Sequence, residues 1–197
     1  NKFELLGSPA VNEDPSLTST SLLDFGDLTW NELTSLRDIT IPGGTTVTGT
    51  APDSVQAGGQ WFCNTANNTN WGDALNPGGI CGNYFPLIYA AGSMSINSNG
   101  VGQGILLVEG DLAVQGGFTF FGPVIVRGEL KTAGTGGHFN GGVIAANVNL
   151  ETTTVLGNAL VQFSSCAVER AILNNAGLTR AQPLAERSWI DLSNLLG

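Results

Sequence analysis

The sequence has little positive charge and few of the side chains that carry out acid–base chemistry. Its 197 residues include seven Lys and Arg against sixteen Asp and Glu, and a single histidine, His138. Because a phosphate-binding surface must be basic, the formal net charge of −9 argues against nucleic acid as a partner. With one imidazole and two lysines, we expect no enzyme activity, no catalytic residues, no cofactor and no metal site.

Long apolar runs are absent as well, and no stretch approaches the length that crosses a bilayer as a helix. We therefore expect no transmembrane segment in this chain. It begins at Asn1 rather than Met, with no charged and apolar leader, which is typical of a mature or trimmed product. Charged residues make up 12% and apolar residues 42%, which favours a folded domain over a disordered polymer.

Cysteine is sparse, with only Cys63, Cys81 and Cys166. The first two lie in a segment rich in Asn and Gly that has little apolar material of its own, and we predict a disulfide between them. Closing that loop would stabilise the fold by roughly 3 kcal/mol, whereas a zinc site lacks the further Cys or His that it needs. A disulfide indicates an extracytoplasmic protein. Cys166 follows a strand-like run and is predicted to be free and buried.

The first of three regions within one domain, residues 1–83, is acidic and is predicted to be extended and rich in loops. A leucine-spaced stretch predicts a short helix, with Thr29 as N-cap and Glu32 completing a capping box. A Pro-Gly-Gly turn follows, and the β-branched run 45–50 predicts a strand. Residues 51–83 are predicted to be rich in loops.

Residues 84–166 contain an internal repeat whose copies start at 86, 104, 122 and 142, with a weaker copy at 157. Each copy has a β-rich run, a corner containing Gly or Asn, and a short alternating strand. The pattern predicts a parallel β-solenoid in a mainly β protein, because Gly permits sharp corners and stacked coils share one core. An antiparallel sandwich, the alternative, gives no reason for the corner to recur. The predicted inward stack is Leu106, Val108, Leu112, Val124, Val126, Leu130, Val143, Ala145 and Leu150.

The last region, residues 167–197, is predicted to cap the solenoid. Ala167–Ala176 has helical spacing, with Val168, Ala171 and Ile172 on one face and Gly177 as its end. An uncovered solenoid end would leave strand groups unpaired, so we expect this C-terminal capping helix and the Trp189–Ile190 segment to cover it.

Acidic side chains at the corners admit two interpretations. Asp111 and Glu129 occupy equivalent positions, as stacked carboxylates do in polysaccharide-cleaving β-helices, but the next equivalent position is Asn149. We predict a structural role, in which the carboxylates accept hydrogen bonds from turn amides. His138, at another corner, is predicted to be a surface residue. Calcium binding has weak support from the loop residues Asp24, Asp27, Asp53 and Asp73.

Three of the four tryptophans lie in residues 1–83, where some aromatic side chains must cover the solenoid flank and others are available to a partner. The first 50 residues also hold most of the net negative charge. We therefore predict that they make most partner contacts, through Phe3, Leu5, Leu22, Leu23, Phe25 and Trp30.

The repeat also carries a family resemblance. The run Gly102–Gly128 resembles the C-terminal, extracytoplasmic domains of PilX-like pilus-assembly proteins. The likeness continues through Gly141–Ala146, Ser165–Ile172 and Ala185–Leu192. Family members typically carry an N-terminal pilin-like hydrophobic helix, which is not in this sequence. The resemblance implies a non-enzymatic structural role and brings no catalytic residues.

Two functions therefore stand as hypotheses. The first is an extracytoplasmic docking module, peripheral to a membrane, that binds protein subunits and braces a larger membrane-associated assembly. That assembly would be a pilus, or another membrane complex with an extrinsic subunit, such as a photosynthetic reaction centre with its antenna. The second is a carbohydrate-binding or polysaccharide-cleaving β-helix, which aromatic platforms and aligned carboxylates on one face would favour.

Overall fold

Parallel strands stacked coil upon coil make up most of the chain. A computed structural model describes residues 4–5, 24–25, 28–133, 136–147 and 160–179. Except for two hairpins the strands pair in parallel, in a β-solenoid of about three turns, as the repeat predicts. The elements in chain order are β1 (Glu4–Leu5), β2 (Asp24–Phe25), β3 (Leu28–Thr29), α1 (Trp30–Ser35), β4 (Ile39–Ile41), β5 (Thr46–Val47), β6 (Ser54–Ala57), β7 (Gln60–Cys63), β8 (Leu87–Ala90), β9 (Met94–Asn97), β10 (Val101–Gln103), β11 (Ile105–Val108), β12 (Leu112–Gln115), β13 (Thr119–Ala133), β14 (His138–Asn147), β15 (Leu160–Phe163) and α2 (Ser165–Asn174).

Strand register fixes the length of each coil. Leu106 pairs with Ile88 in the preceding coil and with Val124 in the following one, at the spacing that the sequence copies predict. The next coil is one residue longer, because Gly122 pairs with Gly141 and not with Gly142, where the sequence copy was placed. Because Gly141 and Gly142 are adjacent, aligning the sequence copies by their corner glycines does not reveal this shift of one residue.

The interior of the coils is a ladder of apolar side chains. Leu106 and Val108 are fully buried and pair with Val124 and Val126 of the next coil. The predicted inward stack is confirmed for its described members, while Leu150 lies outside the described residues. One corner of the interior is aromatic, with ring centroids 5.8 to 6.5 Å apart, and is filled by Trp71, Phe118, Phe120 and Phe139.

The two helices cover the outward side of one sheet. Trp30 of α1 and Ala171 of α2 pack with Leu107 and Ile125, whose side chains face away from the interior. The predicted C-terminal helix is confirmed as α2, which packs against β13 and β14, with the small Ala171 close to the sheet backbone at Gly122. The Trp189–Ile190 segment lies outside the described residues.

Helix α1 forms as its sequence predicts. The Thr29 backbone N–H donates to the Glu32 carboxylate at 2.8 Å, and the Glu32 N–H donates to the Thr29 hydroxyl at 3.3 Å. The hydrogen bonds from the Thr29 backbone and hydroxyl hold the pKa of Glu32 below its usual value. These bonds satisfy amide groups that the first helical turn would otherwise leave without a partner.

The acidic N-terminal region contributes strands of its own to the solenoid. The strand predicted over residues 45–50 is confined to β5, and β4, which was not predicted, precedes the Pro-Gly-Gly turn. β4 pairs with β8 and β5 with β9, so the two strands form the first coil. At the other end of the sheet, β1 pairs in parallel with β15.

Gly122→Ala should lower the free energy of unfolding by about 2 kcal/mol or more. Gly122 has a φ of 134°, and a Cβ there would overlap the carbonyl oxygen of Gly104. Urea denaturation would measure the loss. Gly49→Ala is the control, since Gly49 is exposed with nothing near its Cβ position, and a change within about 0.5 kcal/mol is expected. Equal stability of the two variants would contradict the close stacking of these corners.

Candidate functional site

Residues 51–85 leave the first coil and return to the second, and they carry the candidate site. This stretch is predicted to be rich in loops, and within it the structure has an antiparallel hairpin that was not predicted, formed by β6 and β7 over residues 54–63. Gly58 and Gly59 make the turn at φ 58° and 80°, a conformation that suits glycine and matches the twist of a two-residue hairpin. We call residues 54–63 the aromatic hairpin.

The base of the hairpin is fixed by a covalent bond and a buried amide. Cys63, the last residue of β7, is bonded to Cys81, so the predicted disulfide is confirmed. Asn70 is fully buried, and its side-chain NH₂ donates to the carbonyl oxygens of Asp53 at 3.1 Å and Asn64 at 2.9 Å. Its own oxygen accepts the Gly72 N–H at 3.2 Å. The hairpin is therefore held rigidly to the loop behind it.

The Asp53 carboxylate is hydrogen-bonded to two asparagine side chains of this loop. It accepts these bonds from the Asn64 side chain at 2.7 Å and from the Asn67 side chain at 2.9 Å. The bonds from Asn67 and then Asn64 hold the pKa of Asp53 below its usual value. Because the folded pKa is depressed, the stabilisation is present above the unfolded pKa and is lost as the pH falls through the folded one.

Residues 51–85 are attached to the solenoid at the side of the first coil that has no third strand. Gln103, at the end of β10, donates its backbone N–H to the Trp71 carbonyl at 2.8 Å. Its buried side chain donates to the carbonyls of Gly82 at 3.0 Å and Tyr84 at 2.9 Å. Trp71 is fully buried beside Phe118 in the aromatic corner. The hairpin thus projects from a loop that is part of the core.

Apolar side chains lie on both faces of the aromatic hairpin. Trp61 is 57% exposed and Phe62 is 48% exposed, and every residue of β6 is exposed. Trp61 pairs with Gln56 on one face, while Phe62 pairs with Val55 on the other. Of the twelve aromatic side chains whose burial is described, nine are buried or half-buried, so two adjacent exposed rings on a fixed hairpin mark a contact surface.

A groove lies at the foot of the hairpin. It has a volume of about 310 Å³. Two of its lining residues, Asp53 and Asp73, are acidic, and Ile80 contributes an exposed apolar side chain. Within the described residues no three His, Cys, Asp or Glu side chains lie close enough to hold a metal ion. The groove therefore adds negative charge beside the two exposed rings.

Asn70→Ala should lower the free energy of unfolding by about 1–3 kcal/mol, because buried carbonyls at the hairpin base would lose their donor. Thermal or urea denaturation followed by circular dichroism would measure the loss. Asn68→Ala is the matched control, since Asn68 is exposed and its contribution to the fold is a backbone carbonyl that accepts from Trp71. Two equal, small effects would contradict the role given to the Asn70 amide.

The predicted N-terminal anchors are only partly described. Trp30 is 6% exposed, so it lies in the protein's own flank and is not a surface anchor. Its indole N–H donates to Glu109 at 2.7 Å, and the Arg127 guanidinium, paired with Glu109, lies 5.5 Å from the ring centroid. The side chains of the others lie outside the described residues, and their contacts stay predictions: Phe3, Leu5, Leu22, Leu23 and Phe25.

The corner carboxylates hold neighbouring coils together. The Asp111 carboxylate accepts the Glu129 backbone N–H at 2.9 Å, and the Asp111 N–H donates to the Ser93 hydroxyl at 3.0 Å. Lys131 lies 3.0 Å from Glu129 and 3.6 Å from Asp111, and the Glu129 carboxylate raises the pKa of its ammonium. The structure pairs Glu129 with Asn147 rather than with Asn149. The predicted bond from a carboxylate to a corner amide is therefore confirmed for Asp111, whereas the Glu129 carboxylate is paired with Lys131.

Two further side chains differ from expectation. His138 lies within β14 opposite Thr119, half-buried, rather than at a corner. Cys166 is free, as predicted, but exposed rather than buried.

Neither described helix is long and apolar enough to cross a membrane.

Comparison with known proteins adds no further constraint. No family model, curated protein or solved structure matches the chain.

Proposed function

We propose that the protein is a non-enzymatic docking subunit that binds a protein partner through the aromatic hairpin. The observation that carries this proposal is the exposure of Trp61 and Phe62 on opposite faces of a hairpin held by the Cys63–Cys81 disulfide. Large aromatic side chains dominate the binding energy of protein interfaces. A hairpin that is already rigid loses little conformational entropy when it binds.

The arrangement also suggests the shape and charge of the partner. A hairpin with an aromatic ring on each face fits a cleft better than a flat surface, since both faces can then be buried. Asp53 and Asp73 lie at its foot, in a chain of net charge −9. The complementary site is therefore an apolar cleft with Lys or Arg at its rim, which would also steer the encounter.

The disulfide supports an extracytoplasmic location, because such bonds persist in oxidising compartments. The resemblance of the repeat to PilX-like domains favours a membrane-associated assembly as the partner. The assembly would be a pilus, or another membrane complex in which this chain is an extrinsic subunit. The solenoid would act as the rigid platform from which the hairpin projects.

Carbohydrate binding is less well supported. Sugar sites combine an aromatic ring with polar side chains that are free to bond hydroxyl groups. Around the hairpin, the side chains of Asn64, Asn67 and Asn70 already donate to Asp53 or to backbone carbonyls. The stacked carboxylates Asp111 and Glu129 are likewise engaged with a backbone amide and with Lys131.

Site-directed photo-crosslinking in the source cells tests the proposal. A benzophenone amino acid replaces Trp61 in one variant and Gln115, an exposed residue of β12, in the other. We expect a discrete protein adduct from position 61 and none from position 115. The proposal fails if position 61 gives no adduct, or if the purified chain instead binds polysaccharide with quenching of Trp61 fluorescence.

A further inference from the structure

The outer side of β6 is an open strand edge. β6 pairs on one side with β7, and among the described residues no strand pairs with its other side. All four of its residues, Ser54–Ala57, are exposed, and none of them is charged or a proline. Proteins usually protect such an edge with a charge, a proline or a covering segment, because its unpaired N–H and C=O groups can bind another strand. We call this side of β6 the open edge.

The hydrogen-bond pattern of the aromatic hairpin shows which groups lie on the open edge. The Asn64 N–H donates to the Asp53 carbonyl at 2.9 Å, so these two residues form a hydrogen-bonded pair. Hydrogen-bonded and non-hydrogen-bonded pairs alternate along an antiparallel ladder. The N–H and C=O groups of Val55 and Ala57 therefore point toward β7, whereas those of Gln56 point to the open edge. Within the described chain nothing else bonds to these two groups of Gln56.

The outer edge of β7 is less open than that of β6. The Cys63 carbonyl there accepts the Thr65 N–H at 3.0 Å, as the chain turns after the disulfide-bonded residue. The open edge of β6, in contrast, leads into the groove at the foot of the hairpin, which is lined by Pro52, Asp53 and Ser54 among others. A segment that lies along β6 would therefore continue into this groove.

We propose that the open edge binds an extended strand of the protein partner, which pairs with β6 through main-chain hydrogen bonds and carries Lys or Arg where it enters the groove. This inference rests on the docking function proposed above. In strand addition the main-chain bonds provide affinity and alternate side chains provide specificity. One face of the added strand would place an apolar side chain beside Val55, on the face that also carries Phe62.

Charge favours a partner strand over a second copy of this chain. Asp53 and Asp73 line the groove, and its lining holds no basic residue. A second copy would bring another net charge of −9, and its own β6 would be preceded directly by Asp53. A strand with Lys or Arg at this point is instead attracted to both carboxylates.

Gln56→Pro tests the main-chain hydrogen bonds. Proline removes the outward N–H of Gln56 and leaves the β6–β7 bonds in place, and it is tolerated at a strand edge whose N–H faces solvent. The purified variant should unfold at the same urea concentration as the native chain. The fraction that co-sediments with high-mass complexes from the source cells should fall about tenfold or more. Gln56→Thr keeps the N–H and is the matched control, which should co-sediment as the native chain does.

Undiminished co-sedimentation of folded Gln56→Pro would overturn the proposal. Hydrogen exchange of the native chain gives a second readout, which needs no variant and applies even if Gln56→Pro does not fold. The Gln56 amide should exchange as an unprotected amide in the free chain and about tenfold or more slowly in the co-sedimented complex. A Gln56 amide that stays unprotected in the complex would also overturn the proposal.

A variant of the two exposed rings separates this proposal from the docking function. If Trp61→Ser with Phe62→Ser abolishes co-sedimentation while Gln56→Pro leaves it unchanged, the rings dock and no strand is added to β6. If the double variant co-sediments as the native chain does, the docking function itself fails, and strand addition at the hairpin is overturned with it.

Discussion

Replacing Trp71 by alanine should lower the free energy of unfolding by about 3–5 kcal/mol, the range for a large aromatic side chain removed from a core. Trp71 is fully buried and packs edge-on against Phe118 and Phe120, with ring centroids 5.8 and 6.3 Å away. It also closes the third side of the first coil, where Gln103 donates to its carbonyl. Chemical denaturation followed by far-ultraviolet circular dichroism measures the loss.

Trp61→Ala is the matched control for that experiment. The same side chain is removed, but from an exposed hairpin, so the loss should stay below about 1 kcal/mol. If the two variants lost stability equally, Trp71 would not be the residue that joins residues 51–85 to the solenoid core. If Trp71→Ala did not fold at all, Trp71→Phe should restore a cooperative transition at lower stability.

Removing the disulfide is the second large perturbation. Cys63→Ala with Cys81→Ala should lower the free energy of unfolding by about 3 kcal/mol, because the unfolded chain regains the freedom of an 18-residue loop. Reduction of the native protein should give a similar loss. Denaturation with and without reductant measures it.

Cys166→Ala is the control for the disulfide experiment, since this thiol is free and exposed. Its stability should change by less than about 0.5 kcal/mol. Insensitivity of the native protein to reductant, together with three titratable thiols, would contradict both the disulfide and the oxidising compartment that it implies.

The repeat could be predicted because the coil geometry constrains the sequence at every turn. Gly104 and Gly122 need positive φ, and a carboxylate at Asp111 holds the amide of the next coil. Because such corner positions recur once per coil, the repeat length of the solenoid can be read from the sequence. The capping box of α1 was equally visible, since Thr29 and Glu32 act only on each other and on their own backbone.

The aromatic hairpin was missed although its signal is present. Gly58-Gly59 lies between the alternating run Ser54–Ala57 and the aromatic-rich run Gln60–Cys63, and a glycine pair between two such short runs is typical of a two-residue hairpin. The glycine and asparagine content of the surrounding stretch obscured it. That Trp71 would be buried and Trp61 exposed has no local signal, because long-range packing against Phe118 and Phe120 decides it.

The placement of α2 likewise depends on tertiary contacts. Its sequence predicts a helix, but the buried face is centred on Ala171 alone, since the helix lies close to Gly122. Cys166 is five residues earlier, roughly 140° around the helix, and is therefore exposed. Ile172 is exposed for the same reason.

The central claim is that the aromatic hairpin joins this chain to its assembly. Its most direct test is the fraction of the chain that co-sediments with high-mass complexes from source cells expressing Trp61→Ser with Phe62→Ser. Loss of two aromatic anchors should move the protein almost entirely to the free fraction. Ile144→Ser, which removes an exposed apolar side chain elsewhere, should sediment as the native chain does. Undiminished co-sedimentation of the folded double variant would contradict the claim.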